Sequence, residues 1–317
     1  MSRSVHSTAD SKDVGVWPHR IAVVLACATF PLLFIGGLVT SMGAGLAVPD
    51  WPTTFGYNMF LYPWSKMVGG IFYEHSHRLV ASLVGLLTIA LALAFWLRER
   101  RAWLRWLGLA TLALVIVQGV MGGLRVIWLQ DTLAIFHAAT AQAFFALTVC
   151  LAMFTSAEWK KSSDGKPLDD GGRLGRLCAV TTGLIYLQIV FGAVLRHTGE
   201  RLDAHLAFAA LVALHVILII VRVSRHHADA PRLTRPAVAL SVLLFVQLVL
   251  GGLSYFAKFT TSLRLSIDLV VILTTTHLAV GALMLAAGVT LTLRSYRLSA
   301  QSQRGRSRTV LTEQFSA

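Results

Sequence analysis

Long apolar stretches, separated by short polar segments, dominate this sequence. An α-helix needs about 20 residues to cross the hydrocarbon core of a bilayer, and eight stretches are long enough. They run over 21–43, 77–97, 104–126, 132–155, 175–195, 203–223, 236–257 and 269–293. Hydrophobic residues make up 56% of the chain and charged residues only 14%, which is too apolar for a soluble domain of this length. The pattern therefore predicts an all-α integral membrane protein with eight transmembrane helices.

The Lys and Arg residues are distributed unevenly between the two sides of the predicted membrane span. The formal net charge of +13 would suit a nucleic-acid-binding protein. If the N-terminus is inside, however, 21 of the 28 Lys and Arg residues lie on the inner side. This excess predicts that both termini face the cytoplasm, or its mitochondrial equivalent, and it explains the charge without nucleic acid. The seven outer residues are Lys66, Arg78, Arg125, Arg196, Arg201, Lys258 and Arg264.

An internal repeat divides the chain into halves. The third, fifth and seventh spans share the motif Gln-x-x-x-Gly followed by a small residue, starting at Gln118, Gln188 and Gln247. Histidines recur with it, because His77 lies 41 residues before Gln118 and His205 lies 42 residues before Gln247. The second half is therefore expected to repeat the fold of the first.

Each half contains an even number of spans, so both halves enter the membrane in the same direction. Repeats of this kind are related by an axis along the membrane normal, and four spans form a four-helix bundle. We expect two pseudo-symmetric bundles, joined by a cytoplasmic linker and flanked by cytoplasmic tails. The predicted bundles are 21–156 and 175–294, the linker is 157–174, and the tails are 1–20 and 295–317.

Two histidines are predicted near the outer side of each bundle, His77 with His137 and His205 with His277. Ionisable side chains inside a membrane are costly and usually mark function. Zinc normally takes three or four ligands, and di-iron bundles need more glutamates than Glu74 supplies. Haem iron needs only two axial ligands, and its ring needs an apolar slot. Haem is therefore the ligand that these pairs fit best.

The second helix is expected to begin with a polar cluster, Tyr73–Arg78. On a helix, Glu74 and His77 share one face with Arg78 beside them. His75 points away and is expected to be an interfacial bystander. The outer segment before the cluster, 44–72, is the longest connection and is either a functional lid or disordered.

Four arginines on the outer side are candidates to neutralise haem propionates. For each of them, snorkelling to the membrane interface is an equally good explanation. They are Arg78, Arg125, Arg196 and Arg201.

Taken together, these motifs resemble the haem A synthase family over residues 21 to 293. The segments that carry the resemblance are Gly45-Leu46-Ala47-Val48-Pro49-Asp50-Trp51-Pro52, Glu74-x-x-His77-Arg78, the Gln-x-x-x-Gly-Gly of the third span, His137, Leu195-Arg196-His197-Thr198-Gly199, His205 and Thr276-His277. The resemblance implies an enzyme that oxidises the C8 methyl group of haem O to a formyl group, giving haem A for terminal oxidases.

The resemblance also implies roles for individual residues. The residues matching His205 and His277 would hold a haem b, and His77 and His137 would bind the substrate, haem O. Glu74 would be the catalytic carboxylate. The second half has Leu-Asp-Ala at 202–204, so Glu74 has no counterpart there.

Partners and location follow from the same resemblance. The chain is expected to work in the lipid bilayer with a haem O synthase and oxidase assembly proteins, and its electron donor is unidentified. Some family members carry a cysteine pair in the first outer loop, which is absent here. The first 20 residues contain neither a cleavable apolar region nor an Arg-rich presequence. We therefore expect a bacterial plasma membrane, with the haem sites toward the outer face.

Two other classes of protein remain open. A di-haem electron-transfer cytochrome would hold two haems b and would not depend on Glu74. A transporter is suggested because parallel repeats are common among transporters. The paired histidines and the absence of proline-broken helices in spans two to eight argue against the transporter.

Overall fold

The computed structural model describes residues 16–160, 170, 172–260 and 265–316, without the side chains of 301–316. Most of the predicted N-terminal tail and most of the predicted linker lie outside these residues. Within the described ranges the regular structure is helical, and eight helices are long and apolar enough to cross a membrane. The prediction of an all-α chain with eight spans is confirmed. The helices are α1 (Val16–Ser41), α2 (Gly70–Arg98), α3 (Ala102–Trp128), α4 (Asp131–Thr155), α5 (Arg173–Thr198), α6 (Leu202–His226), α7 (Pro231–Phe259) and α8 (Ile267–Ser316).

Helix α2 begins seven residues before its predicted start. Its N-cap, Gly69, has φ +55, a backbone conformation that suits glycine. The cluster Tyr73–Arg78 therefore lies inside the helix, as predicted, although the apolar span was drawn only from residue 77. Hydropathy placed the boundary too late because it counted these polar side chains as water-exposed.

Helix α7 contains Pro236 but is not broken by it, because the helix runs without interruption from Pro231 to Phe259. Proline lacks the N–H that would bond the carbonyl four residues earlier, here the carbonyl of Arg232. Arg294 Nη1 donates to that carbonyl oxygen at 3.2 Å. The helix continues because α8 supplies the missing donor. Helix α8 itself runs beyond its predicted end at 293, so the predicted tail 295–317 continues as helix through Ser316.

The chain forms two compact units, Met1–Lys160 and Lys161–Ala317. In the first unit, α1 and α3 each pack against α2 and α4. In the second unit, α5 and α7 each pack against α6 and α8. Each unit is thus a closed ring of four helices in sequence order.

Large apolar side chains fill one end of each ring. In the first unit Leu25, Phe95, Leu104 and Leu151 form a buried cluster. These residues lie near the start of α1 and α3 and near the end of α2 and α4, which is one end of the ring. His77 and His137 lie toward the other end of their helices. The apolar cluster therefore fixes the ring and leaves the opposite end for the polar site.

The α1–α2 segment, residues 42–69, is folded onto itself by short-range contacts. Two single turns of 3₁₀ helix, Met59–Leu61 and Trp64–Lys66, lie in its second half. In its first half the Asp50 carboxylate accepts hydrogen bonds from Thr53 Oγ1 and from the backbone N–H groups of Phe55 and Gly56. Burial alone would raise the pKa of Asp50, but these hydrogen bonds outweigh it and hold the pKa below its ordinary value. The ordered turn favours the lid over disorder.

Candidate functional site

Each predicted haem-ligating histidine rests against a glycine of the preceding helix. A Cβ built on that glycine would approach the imidazole Cε1 to 3.0–3.2 Å. This is shorter than the carbon–carbon optimum of about 3.5–4.0 Å, so a side chain at the glycine would require the ring to shift by a few tenths of an ångström. The four contacts are Gly36 with His77, Gly122 with His137, Gly192 with His205, and Gly251 with His277. We call these four glycines the seat glycines.

The seated rings have unused hydrogen-bonding capacity. Nδ1 of His77, His137 and His277 is buried and has no hydrogen-bond partner. A buried unpaired polar atom costs about 1–3 kcal/mol. Three such atoms at equivalent positions leave the imidazoles free to bind a ligand.

His205 and His277 face each other across the second unit. They come from α6 and α8, which are not neighbours in the ring, and their ring centroids are 6.4 Å apart at an interplanar angle of 71°. An iron bound to one nitrogen of each ring at about 2 Å would separate the centroids by roughly 6 Å. The observed spacing therefore fits a two-imidazole iron site. Gln188 Nε2 lies 3.2 Å from Nδ1 and 3.3 Å from Nε2 of His205, beside the ring.

His77 and His137 form the corresponding pair in the first unit. They also come from alternate helices of the ring, α2 and α4. His77 lies within electrostatic range of the His137 imidazole and of the guanidinium groups of Arg125 and Arg78. Gln118 Nε2 donates to the backbone oxygen of His137 at 3.2 Å, and Thr140 Oγ1 donates to Gln118 Oε1 at 3.1 Å. The glutamine of the repeated motif thus contacts the helix that carries the histidine.

Glu74 and Arg78 tie α2 to the α1–α2 segment. Glu74 is 4% exposed; its Oε2 accepts from the N–H of Val48 at 2.9 Å and its Oε1 from Arg78 Nη2 at 2.8 Å. Arg78 Nη2 also donates to the Val48 carbonyl, and Nη1 donates to the carbonyls of Asp50 and Thr53. Both terminal nitrogens of Arg78 are therefore engaged by protein oxygens, and a propionate would have to displace one of them.

His75 was expected to be an interfacial bystander, and that expectation was wrong. It is 1% exposed, its Nδ1 lies 3.1 Å from Thr54 Oγ1, and its ring lies 5.1 Å from that of Tyr62. Helical geometry correctly separated it from Glu74 and His77. It did not reveal that the segment folds over this second face of α2 as well.

The segment also reaches α3. A Cβ on Gly123 would lie 2.2 Å from Trp51 Cδ2, so the indole packs flat on the helix backbone. A Cβ on Gly45 would lie 2.8 Å from Nη2 of Arg125, so this guanidinium packs on the backbone of the segment. Residues 45–54 therefore contact both α2 and α3 at the end of the ring that carries the histidines. In the second unit the position after the seat glycine, Gly252, has no atom within 4 Å of a built Cβ.

The four candidate arginines differ in their burial and in their hydrogen-bond partners. Arg78 is engaged by the segment, whereas Arg125 lies within electrostatic range of both histidines of its unit and of Glu74. Arg196 is half-buried, is a charged neighbour of His277 and contacts the Thr274 carbonyl at 3.5 Å. Arg201 is exposed and caps α6 with φ +65. Arg125 and Arg196 are thus the arginines that act on the imidazoles of their units and are not held by the α1–α2 segment through several hydrogen bonds.

Fold and site together define a class of protein: an eight-helix membrane protein with two four-helix units, each carrying an imidazole pair suited to haem. Residues 19–204 match the family model described as cytochrome oxidase assembly protein, COX15-CtaA. The match covers more than half of the chain, so this chain belongs to that family.

Similar proteins carry the name Heme A synthase. The one from Shouchella clausii is 29% identical over 186 residues, which cover 58% of this chain and 60% of the relative. The one from Staphylococcus haemolyticus is 25% identical over 266 residues, which cover 73% of this chain and 83% of the relative. The chain therefore matches less than two thirds of the first relative and more than two thirds of the second.

Proposed function

We propose that this protein is a haem A synthase, an oxidoreductase that converts the C8 methyl group of haem O to a formyl group to supply haem A for terminal oxidases. The observation that carries the proposal is the imidazole pair in each unit, with every ring seated on a glycine and His205 and His277 at a spacing suited to iron. Family membership and the named relatives support the same conclusion.

The second unit is the cofactor site. His205 and His277 would hold a haem b, which supplies one-electron transfer when it is bound. Arg196, beside His277, would meet a propionate. These residues orient the group and hold it inside an apolar ring.

The first unit is the substrate site. His77 and His137 would bind haem O, and Arg125 is the better placed of the two nearby arginines to meet a propionate, because the terminal donors of Arg78 are engaged by the segment. The α1–α2 segment lies across this end of the unit and excludes water from it.

Glu74 is the proposed catalytic carboxylate of the first unit. Its role would be to handle protons or to offset positive charge that develops on the substrate. Its two oxygens are fixed by Val48 and Arg78, so it would act from a set position rather than as a mobile side chain.

The setting of the proposal is the bilayer, a bacterial plasma membrane with both sites toward the outer face. Both termini would face the cytoplasm, and the two units would be related by pseudo-symmetry. A haem O synthase and oxidase assembly proteins are the proposed partners.

The proposal is tested by purifying the protein from a host that makes haem O and identifying the extracted haems. Haem A or a hydroxylated intermediate is expected from the wild type. Haem b alone would point instead to an electron-transfer cytochrome, and absence of haem to a transporter.

A variant then tests the carboxylate. Glu74→Ala is expected to keep the haem b of the second unit while haem O accumulates. Normal haem A output from this variant would remove Glu74 from the mechanism. Glu74→Gln keeps an acceptor for the Val48 N–H, so it separates loss of the charge from loss of the hydrogen bond.

A further inference from the structure

We infer that the four seat glycines are positioning residues, which set the location and rotation of the imidazoles that bind haem. The inference rests on the proposed function and extends it to Gly36, Gly122, Gly192 and Gly251. Three of these glycines are the last residue of a Gln-x-x-x-Gly motif. The fourth, Gly36, lies on α1, which contains no glutamine.

The geometry of the four seats is nearly identical. From the built Cβ, the imidazole Cε1 lies at 3.0, 3.2, 3.1 and 3.0 Å, and Nδ1 at 3.5, 3.7, 3.5 and 3.6 Å, in chain order. Each ring therefore turns the same edge, Cε1 with Nδ1, toward the glycine. At Gly36, Gly122 and Gly251 the other nitrogen, Nε2, is the farthest of the three atoms or equal to the farthest. This edge-on contact prevents the ring from moving back toward the helix, and a methyl group would push it out by a few tenths of an ångström or more.

Other glycines on these helices also make close contacts, but with other kinds of side chain: a built Cβ would meet Tyr296 at Gly175 and Thr182 at Gly288. What distinguishes the seat glycines is that the neighbour is an imidazole. Gly85, Gly119, Gly183 and Gly252 have no atom within 4 Å of a built Cβ, although they lie on α2, α3, α5 and α7. Gly108 makes its close contact with the Phe95 ring of the apolar cluster instead. Within the described residues, all four histidines assigned to haem have a seat.

The position of a ligating ring controls how well it binds its metal. Groups that orient a ligating histidine without touching the metal typically change metal affinity by about 10–100-fold when they are altered. The seats of the second unit should therefore govern the haem b, and the seats of the first unit should govern the substrate.

The test compares Gly251→Ala with Gly252→Ala. These neighbours lie on the same helix, and only the first carries an imidazole contact. In the purified full-length protein, Gly251→Ala is expected to lower haem b retention by about tenfold. It should also alter the electron paramagnetic resonance signature of the bound haem, whereas Gly252→Ala should match the wild type in both.

The seat glycines of the first unit, where the substrate is proposed to bind, are tested in the same way with Gly122→Ala. This variant should keep the wild-type haem b content and spectrum while haem O turnover falls. Unchanged haem retention and spectrum in Gly251→Ala, or equal effects of Gly251→Ala and Gly252→Ala, would overturn the inference. If Gly251→Ala does not accumulate in the membrane, Gly192→Ala tests the same unit with the same criteria. A wild-type protein that purifies without haem would instead refute the proposed function.

Discussion

Replacing Arg78 with Met tests whether α2 holds the α1–α2 segment closed. Methionine keeps much of the side-chain length and removes the charge and every donor. The variant loses hydrogen bonds to the carbonyls of Val48, Asp50 and Thr53 and the ion pair with Glu74.

The expected magnitude follows from this environment. Arg78 and Glu74 side chains are 10% and 5% exposed, so the pair is largely screened from water. Removing one partner of a buried ion pair costs about 3–5 kcal/mol, because the other charge is left uncompensated. Hydrogen bonds to charged groups are worth about 1.5–3 kcal/mol each but do not add simply within one network. We therefore expect the free energy of opening the segment to fall by about 3–5 kcal/mol, or roughly two to four orders of magnitude in the opening equilibrium.

Trypsin offers a direct assay, because Lys66 is the only Lys or Arg between residues 42 and 69. Cleavage at Lys66 tracks the open population when opening and closing are fast relative to cleavage. The rate should rise strongly in Arg78→Met in nanodiscs. Arg201→Met, which removes an exposed arginine from the second unit, should cleave at the wild-type rate.

A cleavage rate at Lys66 that stays at the wild-type level in Arg78→Met would refute this reasoning. The double variant with Glu74→Gln provides a further check. If Arg78 and Glu74 act as one unit, the two substitutions together should increase cleavage by much less than the product of their separate effects.

Three further results are expected. Gly45→Ala should displace the Arg125 guanidinium, since a Cβ would lie 2.8 Å from its Nη2, and so should weaken haem O binding while haem b content stays constant; equal loss of both haems would contradict this. Asp50 has a lowered pKa, so its turn should keep its full stability above the ordinary value of 3.8 and lose it as pH falls through the lowered pKa. In that pH range, amide exchange in the turn, measured relative to an unprotected amide, should become faster in the wild type and should not change in Asp50→Asn. His277→Ala should abolish haem b binding, and haem b retained in both His277→Ala and His205→Ala would place the cofactor elsewhere.

Hydropathy predicted the eight spans because each helix must present apolar side chains to lipid. It failed at the start of α2, where Glu74 and Arg78 are buried by partners that lie more than twenty residues earlier in the chain. It also could not show why Pro236 leaves α7 unbroken: the carbonyl that proline leaves unbonded is satisfied by Arg294 on another helix. A pattern read along one segment cannot show which distant residue supplies the missing partner.

The candidate site was predictable to a different extent. Spacing alone paired His205 with His277, and their rings lie 6.4 Å apart. The repeat Gln-x-x-x-Gly was visible, but its glycine has meaning only once a histidine of another helix lies against it. Gly36 had no such signal, since α1 lacks the glutamine. The burial of His75 depends on how the segment folds, and the spacing of residues along α2 does not encode that fold.

The seat glycines and the α1–α2 segment, which covers the site of the first unit, have different roles. Both units seat two imidazoles on glycine in the same way, so the seats cannot by themselves account for a difference in chemistry between the units. The connection that precedes the first histidine does differ: it runs over 42–69 in the first unit, and over only 199–201 in the second. The longer connection brings Trp51 against Gly123 and ties Glu74 in place through Val48 and Arg78. The carboxylate and the α1–α2 segment therefore act as one structure in the first unit, because Glu74 near the end of the ring is kept from water by a backbone N–H of the segment that covers it.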